Sequence, residues 1–205
     1  MWDMQTGEKK AALRAAALSQ RNSLSQAQAL ASSQLIQARA LRFPRYIEAH
    51  SAALYSPIQN EVGTQEIREH GLKQGKFVFY PRLGRDGAAE LVEVKSVGEL
   101  RAGRCGIFEP SKGRVFSDQE IDGLIVFVPG LAFDLRGNRV GRGMGWYDRL
   151  LARICGGATS VALAYDFQVV NDVPADPWDR KVQYIITESR IIDCSENGSQ
   201  SRLLY

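Results

Sequence analysis

Short apolar runs bounded by turn residues predict a series of buried strands along this chain. The clearest run is LIVFV at residues 124–128, which is too short for a helix and has the β-branched and aromatic character of a buried strand. Segment 90–97 alternates apolar and polar residues, so we expect one of its faces to contact solvent. The other predicted strands are 51–56, 77–82, 160–164 and 182–187, the last being the final strand of the chain.

Helical spacing and helix-forming composition predict helices at residues 6–21, 26–41, 65–73 and 146–154. Ser25 and Thr64 can cap the second and third of these helices, and Pro44 ends the second. The alternation of strands and helices predicts an α/β fold with a mostly parallel central sheet, helices on both faces and an N-terminal helical pair. Ligands of such sheets bind at the C-terminal ends of the strands.

Length and composition favour one domain over residues 1–205, with a polar tail from about residue 194 that we expect to be ragged. Lysine and arginine total 26 against 23 for aspartate and glutamate, and this net charge of +3 is too small to indicate a nucleic-acid partner. No apolar run reaches the length of a membrane span and the N-terminus lacks the apolar core of a signal peptide, so we expect a soluble cytoplasmic protein without a membrane partner. We also expect a monomer. The three scattered cysteines and two histidines suggest neither a disulfide framework nor a zinc site.

Candidate chemistry concentrates in segment 128–148, VPGLAFDLRGNRVGRGMGWYD, which joins a predicted strand to a predicted helix. Glycines without Cβ let backbone amides approach a phosphate, and a helix N-terminus adds a favourable dipole. Arg139 and Arg142 could neutralise phosphate oxygens in the same loop. The three glycines stand at alternate positions, Gly141, Gly143 and Gly145.

The residues directly after the glycines extend this prediction. Asp148 offers a hard oxygen ligand for Mg²⁺ beside the phosphates, and Trp146 and Tyr147 offer flat faces for a ring. A glycine-rich turn with only a structural role is the alternative, and the pattern is neither a Walker nor a Rossmann loop. The combination of two arginines and an acid with the glycines favours a nucleotide-phosphate site.

The run VPGLAFDLRGNRVGRGMGWYDRLL closely resembles the most specific motif of the 5-formyltetrahydrofolate cyclo-ligases (5,10-methenyltetrahydrofolate synthetases), which bind ATP, magnesium and a reduced folate. The resemblance continues in order from Lys10 to about Glu188 and implies one cyclo-ligase domain over the whole chain. It also implies a sheet of the kind shared with sugar-phosphate isomerases and CoA transferases. Its departure inside the motif is Trp146, where the family usually has tyrosine.

The resemblance implies a set of ATP-binding residues: Lys10, Arg14, Arg139, Gly141, Arg142, Gly143, Met144, Gly145 and Tyr147. Arg142, central in the loop, is the candidate catalytic residue that counters charge on the phosphoryl group in transfer. Lys10 and Arg14 are four residues apart and share a helix face. Without the resemblance, a solvated basic face would be the simpler interpretation of that pair.

For the folate, the resemblance implies Ser56, Glu61, Tyr80 and Trp146, and for Mg²⁺ it implies Asp148 and Asp179. On sequence alone Glu61 could be a solvated loop acid, and Tyr80 could be ordinary strand core. Near them, Gly63 stands where the family has a bulkier residue. Phe108 is expected to line the pterin site or the core beneath it.

The implied reaction converts 5-formyltetrahydrofolate and ATP to 5,10-methenyltetrahydrofolate, ADP and phosphate. Phosphorylation of the formyl oxygen makes it a leaving group, and N10 then closes the ring. Two alternatives stay open at this point: a non-catalytic relative that binds folate or nucleotide, and an ATP-dependent phosphotransferase acting on another small molecule.

Overall fold

The computed structural model describes residues 4–83, 89–103, 107–154, 156–194 and 203–204. Its α-helices are α1 (Met4–Asn22), α2 (Gln26–Leu41), α3 (Pro44–Glu48), α4 (Gln65–Lys73) and α5 (Trp146–Arg153). Its strands are β1 (Ser51–Ala53), β2 (Phe77–Leu83), β3 (Ala89–Glu93), β4 (Leu100–Ala102), β5 (Phe108–Pro110), β6 (Leu124–Val128), β7 (Ala132–Asp134), β8 (Arg139–Val140), β9 (Thr159–Leu163), β10 (Val169–Val170), β11 (Tyr184–Ile186), β12 (Ile191–Asp193) and β13 (Leu203–Leu204). None of the helices in these ranges is long and apolar enough to cross a membrane.

The central sheet has eight strands in the order β13-β12-β11-β9-β6-β1-β2-β3. Its five inner strands, β11, β9, β6, β1 and β2, pair in parallel, and the pairings outside them are antiparallel. The prediction of an α/β fold with a mostly parallel central sheet is therefore confirmed. Two small sheets, β10-β7-β8 and β4-β5, accompany the large one.

Alternate side chains of β6 belong to two different hydrophobic clusters. Ile125 and Phe127 pack in a cluster with residues of α2, α3 and α4. Val126 and Val128 pack in a second cluster with residues of α5. All five residues of β6 are buried, as expected for a central strand covered on both faces.

Local signals set the helix boundaries with two exceptions. The α2 helix has the predicted bounds, and Ser25 forms a capping box with Gln28. Pro44 does not end α2, which ends at Leu41; it opens α3, where its fixed φ suits the first turn. Thr64 occupies the N-cap position of α4, but its hydroxyl donates to the carbonyl oxygen of Tyr55 at 2.8 Å instead of capping the helix.

Two strand predictions need correction. Residues 91–94 are all buried, so the expectation of a solvent-exposed face in this region is wrong. Glu93 tolerates burial because Arg114 donates to its carboxylate at 2.7 Å. The strand predicted at 182–187 is β11, and it is not the final strand, because β12 and β13 follow it and pair with each other. Of the predicted tail, residues 195–202 and 205 lie outside the described residues.

Candidate functional site

The glycine-rich loop ends at the N-terminus of α5, and two of its glycines have backbone conformations that disfavour other residues. Gly143 has φ of +92° and Gly145, the N-cap of α5, has φ of +63°. Met144 between them is 81% exposed. Arg14 of α1 donates from Nε to the carbonyl oxygen of Gly141 at 2.9 Å. The loop is thus exposed to solvent at Met144, where a phosphate could reach it, and it contacts the first helix through Arg14.

Arg139 and Asp148 form an ion pair behind this loop. The Arg139 side chain is 4% exposed and lies 2.7 Å from Oδ1 of Asp148, which is 21% exposed. Burial lowers the pKa of Arg139, and Asp148 acts in the opposite direction. The guanidinium also lies 5.8 Å from the ring centre of Tyr147. Oδ1 of Asp148 further accepts the backbone N–H of Arg180 at 3.1 Å, which ties α5 to the chain before β11.

Lys10 forms a second buried charge cluster with two aspartates that follow it by more than 160 residues. Its Nζ lies 2.5 Å from Oδ2 of Asp176 and also contacts Oδ2 of Asp179. Burial lowers the pKa of Lys10, but its bonds to the two carboxylates outweigh that effect and leave the pKa raised. The ammonium group is therefore charged at neutral pH. Asp179 also accepts the backbone N–H of Asp176 at 2.8 Å.

Glu61 lies between two arginines. Its Oε1 is 3.5 Å from NH2 of Arg21 and 3.7 Å from NH2 of Arg142, and its Oε2 accepts the N–H of Ile58 at 3.1 Å. Burial raises the pKa of Glu61, and Arg21 is the strongest of the groups that lower it. Arg142 is half-exposed and also donates to Oε1 of Gln59 at 2.8 Å. The candidate catalytic residue thus joins the glycine-rich loop to the Glu61 loop.

The aromatic side chains predicted to contact folate have different environments. Tyr80 is 1% exposed and packs in the core cluster on the α2 side of the sheet, which is the strand-core alternative. Trp146 is half-buried, with its ring centre 4.6 Å from that of Tyr147. Burial raises the pKa of the Tyr147 hydroxyl, so Tyr147 stays neutral. The hydroxyl of Ser56 donates to the backbone oxygen of Phe108, whose side chain is 53% exposed and is not a core residue.

Gly63 has a local structural reason for lacking a side chain. A Cβ there would lie 2.4 Å from Oε1 of Gln65 and 3.0 Å from Oγ of Ser33. The Gly63 N–H donates to the same Ser33 hydroxyl at 2.7 Å. The smaller residue therefore allows α2 to approach the Glu61 loop closely.

The structure brings most of the predicted site residues together from separate parts of the sequence. Contacts link α1 to the glycine-rich loop, to the segment before β11 and to the Glu61 loop. Tyr80 is buried in the core, and the hydroxyl of Ser56 contacts Phe108 and not the charged residues of the site. Sequence reasoning missed Asp176, although it stands three residues before Asp179 and a paired-acid pattern was visible. It also missed Arg21 and Gln59, for which the sequence carries no signal.

Asp148 and Asp179 fit a divalent ion by their chemistry. Among the described residues, the hydrogen bonds of each carboxylate use one oxygen, Oδ1 of Asp148 and Oδ2 of Asp179. Each carboxylate therefore presents a second oxygen, and one or two carboxylates plus phosphate oxygens are a common Mg²⁺ ligand set. Within the described ranges, no group of three or more His, Cys, Asp or Glu side chains could hold a metal ion by itself. Phosphate oxygens would have to complete such a site.

A separate cavity of about 460 Å³ lies beside β3 and is lined by Phe77, Glu93, Lys95, Glu99, Lys112, Gly113 and Arg114. None of these residues belongs to the predicted site. Arg114 there is held by Glu93 and Glu120. We place the candidate site at the glycine-rich loop, because the paired buried charges are found there.

Comparison with known proteins gives consistent results. Residues 6–188 match the model of the 5-formyltetrahydrofolate cyclo-ligase family. The chain is 31% identical over 189 residues to a mouse (Mus musculus) 5-formyltetrahydrofolate cyclo-ligase, covering 87% of this chain and 93% of the mouse protein. It is 32% identical over 158 residues to the Escherichia coli K12 protein of the same name, covering 75% of this chain and 86% of that one.

Solved structures agree with the sequence comparisons. The NMR structure of Aquifex aeolicus 5,10-methenyltetrahydrofolate synthetase superposes with a TM-score of 0.81 and 33% identity, covering 94% of this chain and 96% of that one. A 5,10-methenyltetrahydrofolate synthetase from Mycoplasma pneumoniae superposes with a TM-score of 0.70 and 26% identity, covering 87% and 98%. Family model, sequence relatives and folds all lead to the same conclusion: this chain belongs to the 5-formyltetrahydrofolate cyclo-ligase family and is an enzyme of the ligase class.

Proposed function

We propose that this protein uses ATP and Mg²⁺ to convert 5-formyltetrahydrofolate to 5,10-methenyltetrahydrofolate, with release of ADP and phosphate. The observation that carries the proposal is the gathering of charged residues around one glycine-rich loop in a member of this family. Lys10, Arg14, Arg139 and Arg142 supply positive charge there, and Glu61, Asp148 and Asp179 supply carboxylates.

The proposed ATP site consists of the loop and the cations around it. Residues 141–145, including Met144, are exposed or half-buried just before α5, and their backbone amides would bind phosphate oxygens. Arg14 contacts the loop from α1, Lys10 lies on the same helix and pairs with Asp176, and Arg139 pairs with Asp148 of α5. The aromatic ring of Tyr147 would form one wall of the site, and burial keeps its hydroxyl neutral.

The metal is proposed to be held by Asp148 and Asp179 together with ATP phosphates. When bound, it would neutralise charge on the phosphates during phosphoryl transfer. In the structure these carboxylates are paired with Arg139 and Lys10. We therefore propose that the two cations turn towards the phosphates when the nucleotide binds.

The folate is proposed to lie between Glu61 and Trp146. A buried carboxylate is a suitable acceptor for the N–H groups along one edge of a pterin ring. Ser56 lies three residues after β1, which ends at Ala53 and not at the predicted residue 56, and Trp146 lies at the start of α5. Tyr80 contributes only through the core beneath this region, because its side chain is buried.

The chemistry needs no protein nucleophile. The formyl oxygen attacks the γ-phosphorus, and the bond from that phosphorus to the bridging oxygen of ADP breaks. N10 then attacks the formyl carbon, its proton is lost to solvent, and phosphate leaves with the former formyl oxygen. The protein holds the formyl oxygen in line with phosphorus, and Arg142 offsets charge on the group in transfer.

The experiment follows the near-ultraviolet absorbance of the methenyl product after mixing the purified protein with 5-formyltetrahydrofolate, ATP and Mg²⁺. We expect a rise that requires both ATP and Mg²⁺, and Asp148→Asn should slow it by about a hundredfold or more. Asp172→Asn is the matched control, since Asp172 is an exposed aspartate paired with Arg136 outside the site. Its rate should stay within about twofold of the unmodified protein.

Absence of any absorbance rise at saturating substrates would contradict the proposal. If the protein still bound ATP tightly, another phosphoryl acceptor or a purely binding role would replace the folate reaction. A rise without ATP would contradict the phosphorylation step alone. A monomeric state, a cytoplasmic location and the sheet relationship to isomerases and CoA transferases stay predictions from the sequence.

A further inference from the structure

Arg21 is an arginine buried at the centre of the site that the proposed function does not use. It lies in the last turn of α1, and its side chain is 1% exposed. Its NH1 donates to the carbonyl oxygen of Gly130 at 3.1 Å. Gly130 lies two residues after the end of β6, and its carbonyl oxygen also accepts from Nε2 of Gln168 at 3.0 Å. The guanidinium is therefore fixed at the C-terminal end of the central strand.

The rest of the guanidinium is directed at one carboxylate. NH2 of Arg21 lies 3.5 Å from Oε1 of Glu61, at ion-pair distance. Within the described part of the chain, Nε and NH2 of Arg21 have no hydrogen-bond partner. Buried unsatisfied donors are rare because each costs about 1–3 kcal/mol. A residue kept at that cost in a buried position indicates a role for its charge.

Glu61 has one fixed and one movable cation. Arg21 is buried, whereas Arg142, 3.7 Å from the same carboxylate oxygen, is 38% exposed and also held by Gln59. If Arg142 moves to a phosphoryl group, Glu61 would be a buried carboxylate without a counter-charge unless Arg21 stayed beside it. Such a group is strongly destabilised unless another cation stays beside it.

The loop that carries Glu61 is also held by the end of α1. Gln59 and Asn60 have φ of +48° and +56°, in the left-handed region that residues with a Cβ rarely adopt. The side-chain amide of Asn60 donates to the carbonyl oxygens of Arg21 at 3.3 Å and Leu24 at 3.1 Å. The end of α1 thus holds the loop through its backbone and the carboxylate through the Arg21 side chain.

We propose that Arg21 is a positioning residue: it is the buried counter-ion of Glu61, holds that carboxylate for the N–H donors of the folate ring, and so frees Arg142 for the phosphoryl group. This inference rests on the proposed function. Arg21 acts through Glu61 and does not itself touch the reacting atoms.

The test compares Arg21→Met, which removes the charge and keeps the length, with Arg21→Lys, which keeps the charge. Calorimetry measures 5-formyltetrahydrofolate binding without nucleotide, and separately the binding of a non-hydrolysable ATP analogue with Mg²⁺. We expect Arg21→Met to weaken folate binding by about tenfold or more and analogue binding by less than about twofold. Arg21→Lys should recover part of the folate affinity.

The pH dependence of folate binding provides a readout that a merely structural role would not change. Folate binding needs ionised Glu61, so it should fail as pH falls through the pKa of that carboxyl. Arg21 lowers that pKa, so in Arg21→Met the failure should occur at a higher pH than in the unmodified protein. The other groups that face Glu61 are Arg142 and three neutral tyrosines with raised pKa values, Tyr55, Tyr147 and Tyr165.

Arg39→Met is the control for a general loosening of the fold. Arg39 lies on α2, away from Glu61, and its side chain donates to the carbonyl oxygen of Thr187 at 2.7 Å. An unchanged pH profile in Arg21→Met, with folate affinity within about twofold of the unmodified protein, overturns the inference. Equal losses of folate and nucleotide affinity, as in a loosened fold, also overturn it.

A second measurement separates this inference from the proposed function. Unfolding by urea is compared for Arg21→Met, Glu61→Gln and the double variant. We expect Arg21→Met to raise the unfolding constant at least about tenfold, and Glu61→Gln in that background to reverse most of the change. Strict additivity overturns the ion-pair role even if the enzyme turns over folate. Lack of turnover with strong coupling overturns the proposed function and leaves Arg21 as the counter-ion of Glu61.

Discussion

Removing the carboxylate of Asp148 should destabilise the protein even without any ligand, because it leaves the Arg139 guanidinium buried and unpaired. The Arg139 side chain is 4% exposed, and its Nε already lacks a hydrogen-bond partner within the described residues. Asp148→Ala deletes the acceptor at 2.7 Å and also the acceptor of the Arg180 N–H. A stranded buried charge is among the most costly single changes in a folded protein.

The magnitude follows from burial and distance. Two unit charges with centres about 4 Å apart attract by about 4 kcal/mol at an effective dielectric constant near 20. Water screens part of this energy, because Asp148 is 21% exposed. We therefore expect Asp148→Ala to lower the free energy of unfolding by about 2–3 kcal/mol. Arg139→Met should cost about 1 kcal/mol, since a methionine can fill the space against Tyr147 while Asp148 reaches water.

The assay is urea unfolding at 25 °C in a metal-free buffer, followed by both circular dichroism and tryptophan fluorescence. The double variant of Arg139 and Asp148 should cost little more than Arg139→Met alone, which gives a coupling of about 2 kcal/mol. Asp118→Ala is the control, because Asp118 pairs with Arg153 at 2.6 Å but both side chains are exposed. That change should cost less than about 0.5 kcal/mol. Additive effects of Arg139→Met and Asp148→Ala would refute this reasoning.

Four further outcomes are expected. Gly145→Ala should cost about 1 kcal/mol in urea unfolding, because the residue has φ of +63°. Lys10→Met should weaken calorimetric binding of an ATP analogue by about tenfold or more, because it removes a buried cation from the site. Burial raises the pKa of Cys194 to about 12. In a variant of this protein with the other two cysteines replaced, iodoacetamide at pH 8 should therefore modify Cys194 about fiftyfold more slowly than it modifies free cysteine. Hydrogen bonds from Asn138 and from other groups around Asp134 outweigh burial and lower the pKa of Asp134. The stability that ionised Asp134 supplies is therefore present above about pH 4 and lost at lower pH. Asp134→Asn should flatten that part of the curve of unfolding free energy against pH.

Local structure was predictable where a short segment carries its own determinants. The bounds of α2 follow from the capping box of Ser25 and Gln28 and from helix-forming composition. The bounds of β6 follow from five consecutive apolar residues. The burial of β3 was not predictable from its alternating pattern, because Glu93 is buried only through Arg114, which is 21 residues away. A polar residue in a strand can face solvent or a distant partner, and its own sequence does not distinguish the two.

The candidate site shows the same division. The resemblance identified its residues one by one, but neither the resemblance nor their spacing predicted which of them pair. Lys10 meets Asp179 across 169 positions, and only the order of strands in the sheet brings them together. Arg21 is the clearest omission, since the end of an Ala-rich helix is a common place for an exposed arginine. Its burial depends on Gly130 and Glu61, both distant in sequence.

The pairing of charges explains how so many can be buried around one loop. Arg139 is paired with Asp148 and Lys10 with Asp179, so two of the four cations proposed for phosphate are balanced by the two carboxylates proposed for the metal. Either set alone would leave buried charges unpaired, at a cost of several kcal/mol for each ion. A nucleotide and a divalent ion that bind together can replace both partners at once, whereas either alone would strand the other set. The same arrangement thus stabilises the buried charges and favours binding of nucleotide and metal together.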